Sequence, residues 1–334
     1  MWLMEVNMSE YIINVEGLKK DFKVHKRSKS GILSSLKSLF DRDYKLVTAV
    51  NNLDLKIPKG EIRGLIGPNG AGKSTTIKIL SGILYPSEGT VNVMGYTPWT
   101  QREAYVKKIG VVFGQKSQLW WDLPAIDTFA LNKQMYSIPD KVFDKNIDYF
   151  IELLNIGDVV TKPVRQLSLG ERMKCEFVCA LLHEPPLVYL DEPTIGLDII
   201  SKEAIRSFIK MVNKDLGTTF IVTTHDLSDI EDLCENVSII NNGTIVFNDS
   251  IEKLKTYFSD KKIIEVKFSR QIDVSLLEGF KVTSSGPHFA NIEIETLNND
   301  LQDEIAKIFK VLPVQDINVN NINIEEVIKH IYRS

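Results

Sequence analysis

An α/β domain built on a parallel sheet, followed by a small α+β domain, is predicted for this chain of 334 residues. Three observations predict it. A glycine-rich loop at Gly67–Thr75 (GPNGAGKST) lies between an apolar stretch, Glu61–Ile66, and a stretch with helical spacing, Thr75–Leu84. Two further apolar runs, Leu187–Glu192 (LVYLDE) and Thr219–Thr223 (TFIVT), have the look of parallel strands buried on both faces. Beyond about residue 250 the pattern changes to short alternating strands and amphipathic helices.

In chain order, residues 11–24 read as a first strand and its continuation. An insertion over 25–43 follows, basic at its start (HKRSKS). Its second part, Gly31–Phe40, places Ile32, Leu33, Leu36, Leu39 and Phe40 on one side of a helix. Such a helix either lies on a membrane or partner surface or packs on its own domain. Strands Lys45–Lys56 and Glu61–Ile66 flank the turn Pro58-Lys59-Gly60, and Gly89–Met94 and Gly110–Phe113 are short strands. Residues 125–165 and Arg172–His183 read as helical. Trp120 and Trp121 are adjacent in a loop, so an extended chain cannot turn both to one core; either one lines a docking groove or local folding buries both. In the tail, Lys262–Ser269 is a strand, and Phe280–Ser284 with Asn291–Glu295 forms a hairpin around Ser285-Gly286-Pro287. Helix Asn299–Lys310, strand Val314–Val319 and helix Ile324–Tyr332 complete it. The domains run from 10 to 250 and from 251 to 334.

The loop names its chemistry. Gly67, Gly70 and Gly72 let the backbone curl so that successive N–H groups, those of Asn69 and Ala71 among them, face phosphate oxygens, with Pro68 part of the same curl. The positive end of the following helix adds to that field. Lys73 reaches the β- and γ-phosphates, the Ser74 hydroxyl ligates magnesium, and Thr75 continues the loop into its helix. Asp191, at the end of its apolar strand, is placed to hold magnesium through water, and Glu192 to orient or deprotonate the attacking water. An apolar run ending in Asp-Glu is by itself as often a plain strand end. His225 follows the second strand, where a side chain can reach the γ-phosphate, although a lone histidine is more often structural.

The order of these segments, with Gln115 after its strand, Leu167–Glu171 (LSLGE), and Asp198 in IGLD, resembles the ATP-binding subunit of an ABC transporter over roughly residues 10–250. The resemblance implies an ATPase using ATP and Mg2+ that acts as a homo- or heterodimer. It makes Gln115 a magnesium ligand and His225 the switch histidine. It places Ser168, Leu169, Gly170 and Glu171 in the signature motif, which contacts ATP held by the opposite subunit. Asp198 belongs to the D-loop, and about 115–183 to a helical subdomain. It also implies an aromatic residue stacked on adenine: Tyr44, 23 residues before Gly67, or Phe22, since the insertion leaves the alignment open. The commoner signature is Leu-Ser-Gly-Gly-Gln, so Leu169 and Glu171 depart from it. Leu-Ser-Leu-Gly-Glu-Arg-Met and Gly110–Pro124 resemble the branch that serves ABC-2-type membrane subunits, including drug and viologen exporters. That implies a separate membrane permease as partner and a peripheral place on the cytoplasmic face of the plasma membrane.

Composition is consistent with these expectations. The formal net charge of -4 gives no general reason to expect nucleic acid as a partner. No apolar stretch approaches the roughly 20 residues that span a bilayer. The acidic start MWLMEVNMSE does not read as a secretory signal. Cys175, Cys179 and Cys234 offer no paired framework, as in a reduced cytosolic protein.

Overall fold

The computed structural model describes residues 11–25, 44–114, 116–224, 226–256, 261–296, 300–321, 327–328 and 331–332. Gln115, His225 and the expected helix Gly31–Phe40 lie outside the described residues. The chain divides into two compact units, Met1–Asp249 and Ser250–Ser334.

In the first unit, β1 (Tyr11–His25) and β2 (Tyr44–Pro58) pair antiparallel. Strand β3 (Ile62–Ile66) leads through the glycine loop into α1 (Lys73–Leu80). Strand β4 (Glu88–Val93) pairs with β1, giving the antiparallel sheet β2-β1-β4. Helix α2 (Arg102–Val106) and strand β5 (Ile109–Phe113) come next, then α3 (Ala125–Met135) and α4 (Asp140–Leu154). A 3-10 turn at Val164–Gln166 enters α5 (Leu169–Leu181). After it come β6 (Leu187–Asp191), α6 (Ile199–Leu216), β7 (Thr219–Thr223), α7 (Leu227–Leu233), β8 (Asn236–Asn241) and β9 (Thr244–Ser250).

The second sheet runs β5-β6-β7-β3-β8-β9, and its pairs from β5 to β8 are parallel. Every residue of β7 is buried, as the unbroken apolar run requires. Two layers follow from side-chain periodicity. The inner residues of β1 and β2 (Leu18, Val50, Leu53), the apolar face of α1 (Ile77, Leu80) and one face of the parallel sheet (Leu65, Tyr189, Ile221) share one core. Across the sheet, Gly64 lets α7 close on β3, because a Cβ there would come within 2.8 Å of Ile230. Phe150, Phe177 and Phe208 join α4, α5 and α6 through edge-on ring contacts.

The second unit begins with α8 (Ile251–Thr256) and strand β10 (Lys261–Phe268). A 3-10 turn at Val274–Leu277 precedes β11 (Val282–Gly286) and β12 (Phe289–Glu295). Helix α9 (Leu301–Val311) and β13 (Val314–Asn321) follow, and the antiparallel sheet runs β11-β12-β10-β13. Ile264, Val266, Ile292 and Ile294 form its core with Ile308 of α9. Gly286 pairs with Phe289, so the hairpin turns on Pro287-His288, slightly later than the Ser285–Pro287 expected from turn propensity. Of the expected last helix, residues 327–328 and 331–332 are described and are helical.

Helix α1 ends on a polar anchor inside the first core. The Tyr105 hydroxyl donates to the Leu80 carbonyl at 2.6 Å and lies 3.0 Å from the Tyr189 hydroxyl. Leu80 is in the last turn, where carbonyls lack a helical partner. Burial pushes both phenols above their ordinary pKa, so they stay protonated donors. Tyr105→Phe is expected to cost about 1–2 kcal/mol in urea unfolding, and Tyr189→Phe less, since Leu80 then keeps its shorter bond. Equal costs for the two variants would contradict this assignment.

Candidate functional site

The glycine loop is a cradle with no room for side chains on its inner wall. A Cβ on Gly67 would overlap the Ile240 carbonyl, and one on Gly72 the Ala49 carbonyl. Gly70 and Gly72 have φ of 81° and 112°, the left-handed region that favours glycine. The loop is braced from behind: Gly243 donates to the Ala71 carbonyl at 2.9 Å and accepts from Asn51 at 2.8 Å. Asn69 and Gly70 form the exposed tip, Pro68 is half-buried, and Ala71 is buried. The Lys73 ammonium sits inside the curl, donating to the carbonyls of Gly67 at 2.7 Å and Pro68 at 3.2 Å. Burial lowers its pKa, while Glu192 and Asp191 raise it.

Three elements meet at the Asp191 carboxylate. Its Oδ1 accepts from the Ser74 hydroxyl at 3.1 Å and from the Thr223 hydroxyl at 2.6 Å. One carboxylate and one hydroxyl, side by side beside a phosphate cradle, are the sparse oxygen donors that suit Mg2+, which takes its remaining ligands from phosphates and water. Thr75 continues α1, half-buried. The residues therefore fit a triphosphate with Mg2+.

Glu192 stands just beyond β6 with φ of 54°, uncommon for a residue with a side chain. Its N–H donates to the Thr223 carbonyl at 3.0 Å and to the Thr223 hydroxyl at 3.1 Å. Gly114 makes the space on the other side, since a Cβ there would overlap the Glu192 carbonyl; its own N–H donates to Asp191 at 2.9 Å. Backbone held this way costs on the order of 1 kcal/mol and commonly marks a functional position.

The signature residues form a second group. Ser168 caps α5 in a capping box: Glu171 N–H donates to its hydroxyl at 3.2 Å, and Ser168 N–H and O–H donate to the Glu171 carboxylate at 2.8 and 2.9 Å. These two Ser168 bonds hold the Glu171 carboxyl below its ordinary pKa. A Cβ on Gly170 would overlap the Ser201 hydroxyl of α6, so glycine is required for that approach. Leu169 is 38% exposed and its Cδ2 lies over Gly196. Asp198 caps α6, accepting from Ser201 N–H at 2.9 Å and Ser201 O–H at 2.7 Å, which lower its pKa.

Phe22 and Tyr44 lie on opposite faces of the β1–β2 ribbon. Phe22 pairs with Val47 and Tyr44 with His25, three positions further along. Phe22 shares its face with Leu18, whose core includes Ala71 of the loop, and with Lys20, whose ammonium is 5.2 Å from the Phe22 ring centre. Trp120 and Trp121 are both 56% exposed, so the alternative that local folding buries both does not hold. The chain from Leu119 to Pro124 holds them out at a bend instead.

Sequence reading misses Thr223 as a partner of the Asp191 carboxylate and of the Glu192 N–H, and Gly114 and Ser201 as the places where backbone comes close. A glycine one residue after β5 was the available signal for Gly114; Thr223 carried none, since threonine is ordinary in a strand. Helix α6 lies outside the elements expected from the sequence; its end signals are Asp198 and Gly217.

Among known proteins, the ABC transporter family pattern matches residues 50–195. The chain is 30% identical over 215 residues to the ABC transporter ATP-binding protein NatA of Bacillus subtilis, covering 64% of this chain and 87% of that one. It is 32% identical over 230 residues to the lantibiotic transport ATP-binding protein SrtF of Streptococcus pyogenes, covering 67% and 95%. A solved ATP-binding cassette, a dimer bound to ADP and Pi, superposes with a TM-score of 0.59 at 24% identity over 72% of this chain and 98% of that one. Together with the phosphate cradle and its carboxylates, these likenesses establish that the chain belongs to the ABC transporter family as an ATP-binding protein, an ATPase that takes ATP with Mg2+.

Proposed function

We propose that the chain is the ATPase subunit of an exporter, that it closes as a dimer on MgATP, and that it drives a separate ABC-2-type membrane subunit from the cytoplasmic face of the membrane. The observation that carries the dimer is the separation of the site residues into two groups. In one, Ser74 donates to Asp191, Lys73 lies within the field of Asp191 and Glu192, and Thr223 holds both acidic residues. In the other, Gly170 and Asp198 meet at Ser201, with Ser168 capping the helix that carries Gly170. Export is supported by the Leu-Ser-Leu-Gly-Glu-Arg-Met signature and by the likeness to a lantibiotic transport protein. No described helix is long and apolar enough to cross a membrane, which fits a peripheral subunit.

In this reading the loop N–H groups of residues 67–75 bind the phosphates, and Lys73 turns from its carbonyl partners to the β- and γ-phosphates. Ser74, Asp191 and Gln115 would hold Mg2+, which when bound would supply positive charge to the phosphates. Glu192 orients the attacking water and takes its proton, with its carboxylate aimed by the fixed backbone. His225 contacts the γ-phosphate from its own chain. Ser168 reaches it from the partner subunit, turning its O–H away from Glu171, with Leu169, Gly170, Glu171 and Asp198 shaping the approach.

For the adenine, spacing along the chain favours Tyr44. The strand register supports a second reading, Phe22, because its face continues the one that meets the loop. Stacking on one base contributes about 1–3 kcal/mol. Only the stacking residue is therefore expected to weaken nucleotide binding by about tenfold or more on change to Ala, as measured by titration with a fluorescent ATP analogue. Equal effects of Phe22→Ala and Tyr44→Ala would reject both assignments.

The test of the mechanism is Glu192→Gln, which preserves shape and removes the base. It is expected to bind ATP like the wild type, to hydrolyse it at least about a hundredfold more slowly, and to elute as a dimer with MgATP in size-exclusion chromatography. Turnover near the wild-type rate would remove Glu192 from its role. Elution as a monomer would count against closure of two copies of this chain on MgATP.

A further inference from the structure

Glu176 lies in the middle of α5, only 3% exposed, and none of the site chemistry above uses it. Its carboxylate accepts from the Ser117 hydroxyl at 2.5 Å and from the Gln118 N–H at 3.1 and 3.0 Å. The Ser117 oxygen in turn accepts from the Leu119 N–H at 3.1 Å. The Gln118 side chain reaches back to the Val111 carbonyl of β5 at 2.9 Å. Residues 117–120 form no helix or strand, so these bonds largely decide where that segment lies. Burying a carboxylate is costly, and an apolar residue would fill the same space without that cost.

The segment leads directly to the exposed Trp120–Trp121 pair. Beyond it, the Trp121 carbonyl accepts from Arg165 N–H at 2.9 Å and the Leu123 carbonyl from Val164 N–H at 3.0 Å. The Asp122 carboxylate pairs with the Arg165 guanidinium at 3.0 Å. Arg165 is in the 3-10 turn that delivers Ser168. The tryptophan surface is thus fastened at one end to the body of the signature helix and at the other to its entrance.

We propose that Glu176 is a positioning residue that locks residues 117–119 onto α5, so that the Trp120–Trp121 surface and Ser168 move as one body. A displacement imposed on the tryptophans then reaches the signature serine, and the reverse. This rests on the reading that Ser168 acts in hydrolysis.

The test uses the full chain and two readouts. In steady-state hydrolysis, with active sites counted by stoichiometric nucleotide binding, Glu176→Ala is expected to lower kcat by about tenfold to a hundredfold, with KM for MgATP within about twofold. Glu176→Gln keeps one carbonyl oxygen for the Gln118 N–H and is expected to lose less. Adding Ser117→Ala to Glu176→Ala should cost less than Ser117→Ala does alone, because the bond between the two residues is already lost and only the Leu119 N–H bond remains to lose. In a Trp2→Phe/Trp99→Phe background, acrylamide quenching of the remaining tryptophans is expected to rise in Glu176→Ala. Unchanged kcat per site, additive effects of Ser117 and Glu176, or unchanged quenching would each overturn the proposal. If Glu176→Ala does not fold, the same cycle with Glu176→Gln decides. A wild-type chain without turnover would count against the proposed function instead, and the quenching arm alone would then judge Glu176.

Discussion

The site depends on the Asp191 carboxylate. It joins the first turn of α1, through Ser74, to the ends of two neighbouring strands, β6 and β7, through its own backbone and Thr223. Because Thr223 also accepts the Glu192 N–H, one threonine sets the position of both carboxylates. The parallel pairing of β6 with β7 brings Asp191 level with Thr223, so the register of the sheet becomes the geometry of the site. Ligands of open parallel sheets gather at these carboxyl ends for the same reason: strand termini and helix N-termini converge there.

The loop side is held with equal economy. Gly67 presses on the backbone of Ile240 and Gly72 on that of Ala49, so β8 and β2 form the wall behind the phosphate cradle. The signature side is held by helix caps. Ser168 and Asp198 each cap the helix they begin, and Gly170 lets those two helix ends touch at Ser201. Glu171, where the commoner signature has glutamine, gives Ser168 a charged acceptor and so fixes the hydroxyl until a stronger partner competes. Leu169 leaves that cap intact and lies against Gly196, so the departure from Gly at this position alters the surface offered to a partner without removing the serine.

The phosphate loop and the two buried strands are legible in the sequence because each depends on local chemistry: glycine at the curl and apolar runs between turns. The helix expected from Arg172 begins earlier, at Leu169, because Ser168 and Glu171 form a capping box. The hairpin of the second unit was also legible, with its turn placed early, since Gly286 serves as a strand residue and Pro287 opens the turn. What stayed hidden depends on distant neighbours. Glu176 reads as an ordinary polar helix residue until the fold brings Ser117 and Gln118 against it. Asn242-Gly243 is a local turn signal between β8 and β9, but its role in bracing the loop depends on Ala71 and Asn51, far away in the chain. The exposure of both tryptophans follows from a bend tied to residues 164 and 165, more than 40 positions along the chain.

The central claim is that hydrolysis at this site drives a membrane partner. It is tested most directly by isolating the tagged chain from detergent-extracted membranes of its native cells, and measuring ATP turnover in the isolate beside that of a Lys73→Ala chain. The account predicts a multi-spanning membrane protein in the isolate and turnover that is lost with Lys73. Turnover that depends on Lys73 while only soluble partners accompany the chain would contradict it.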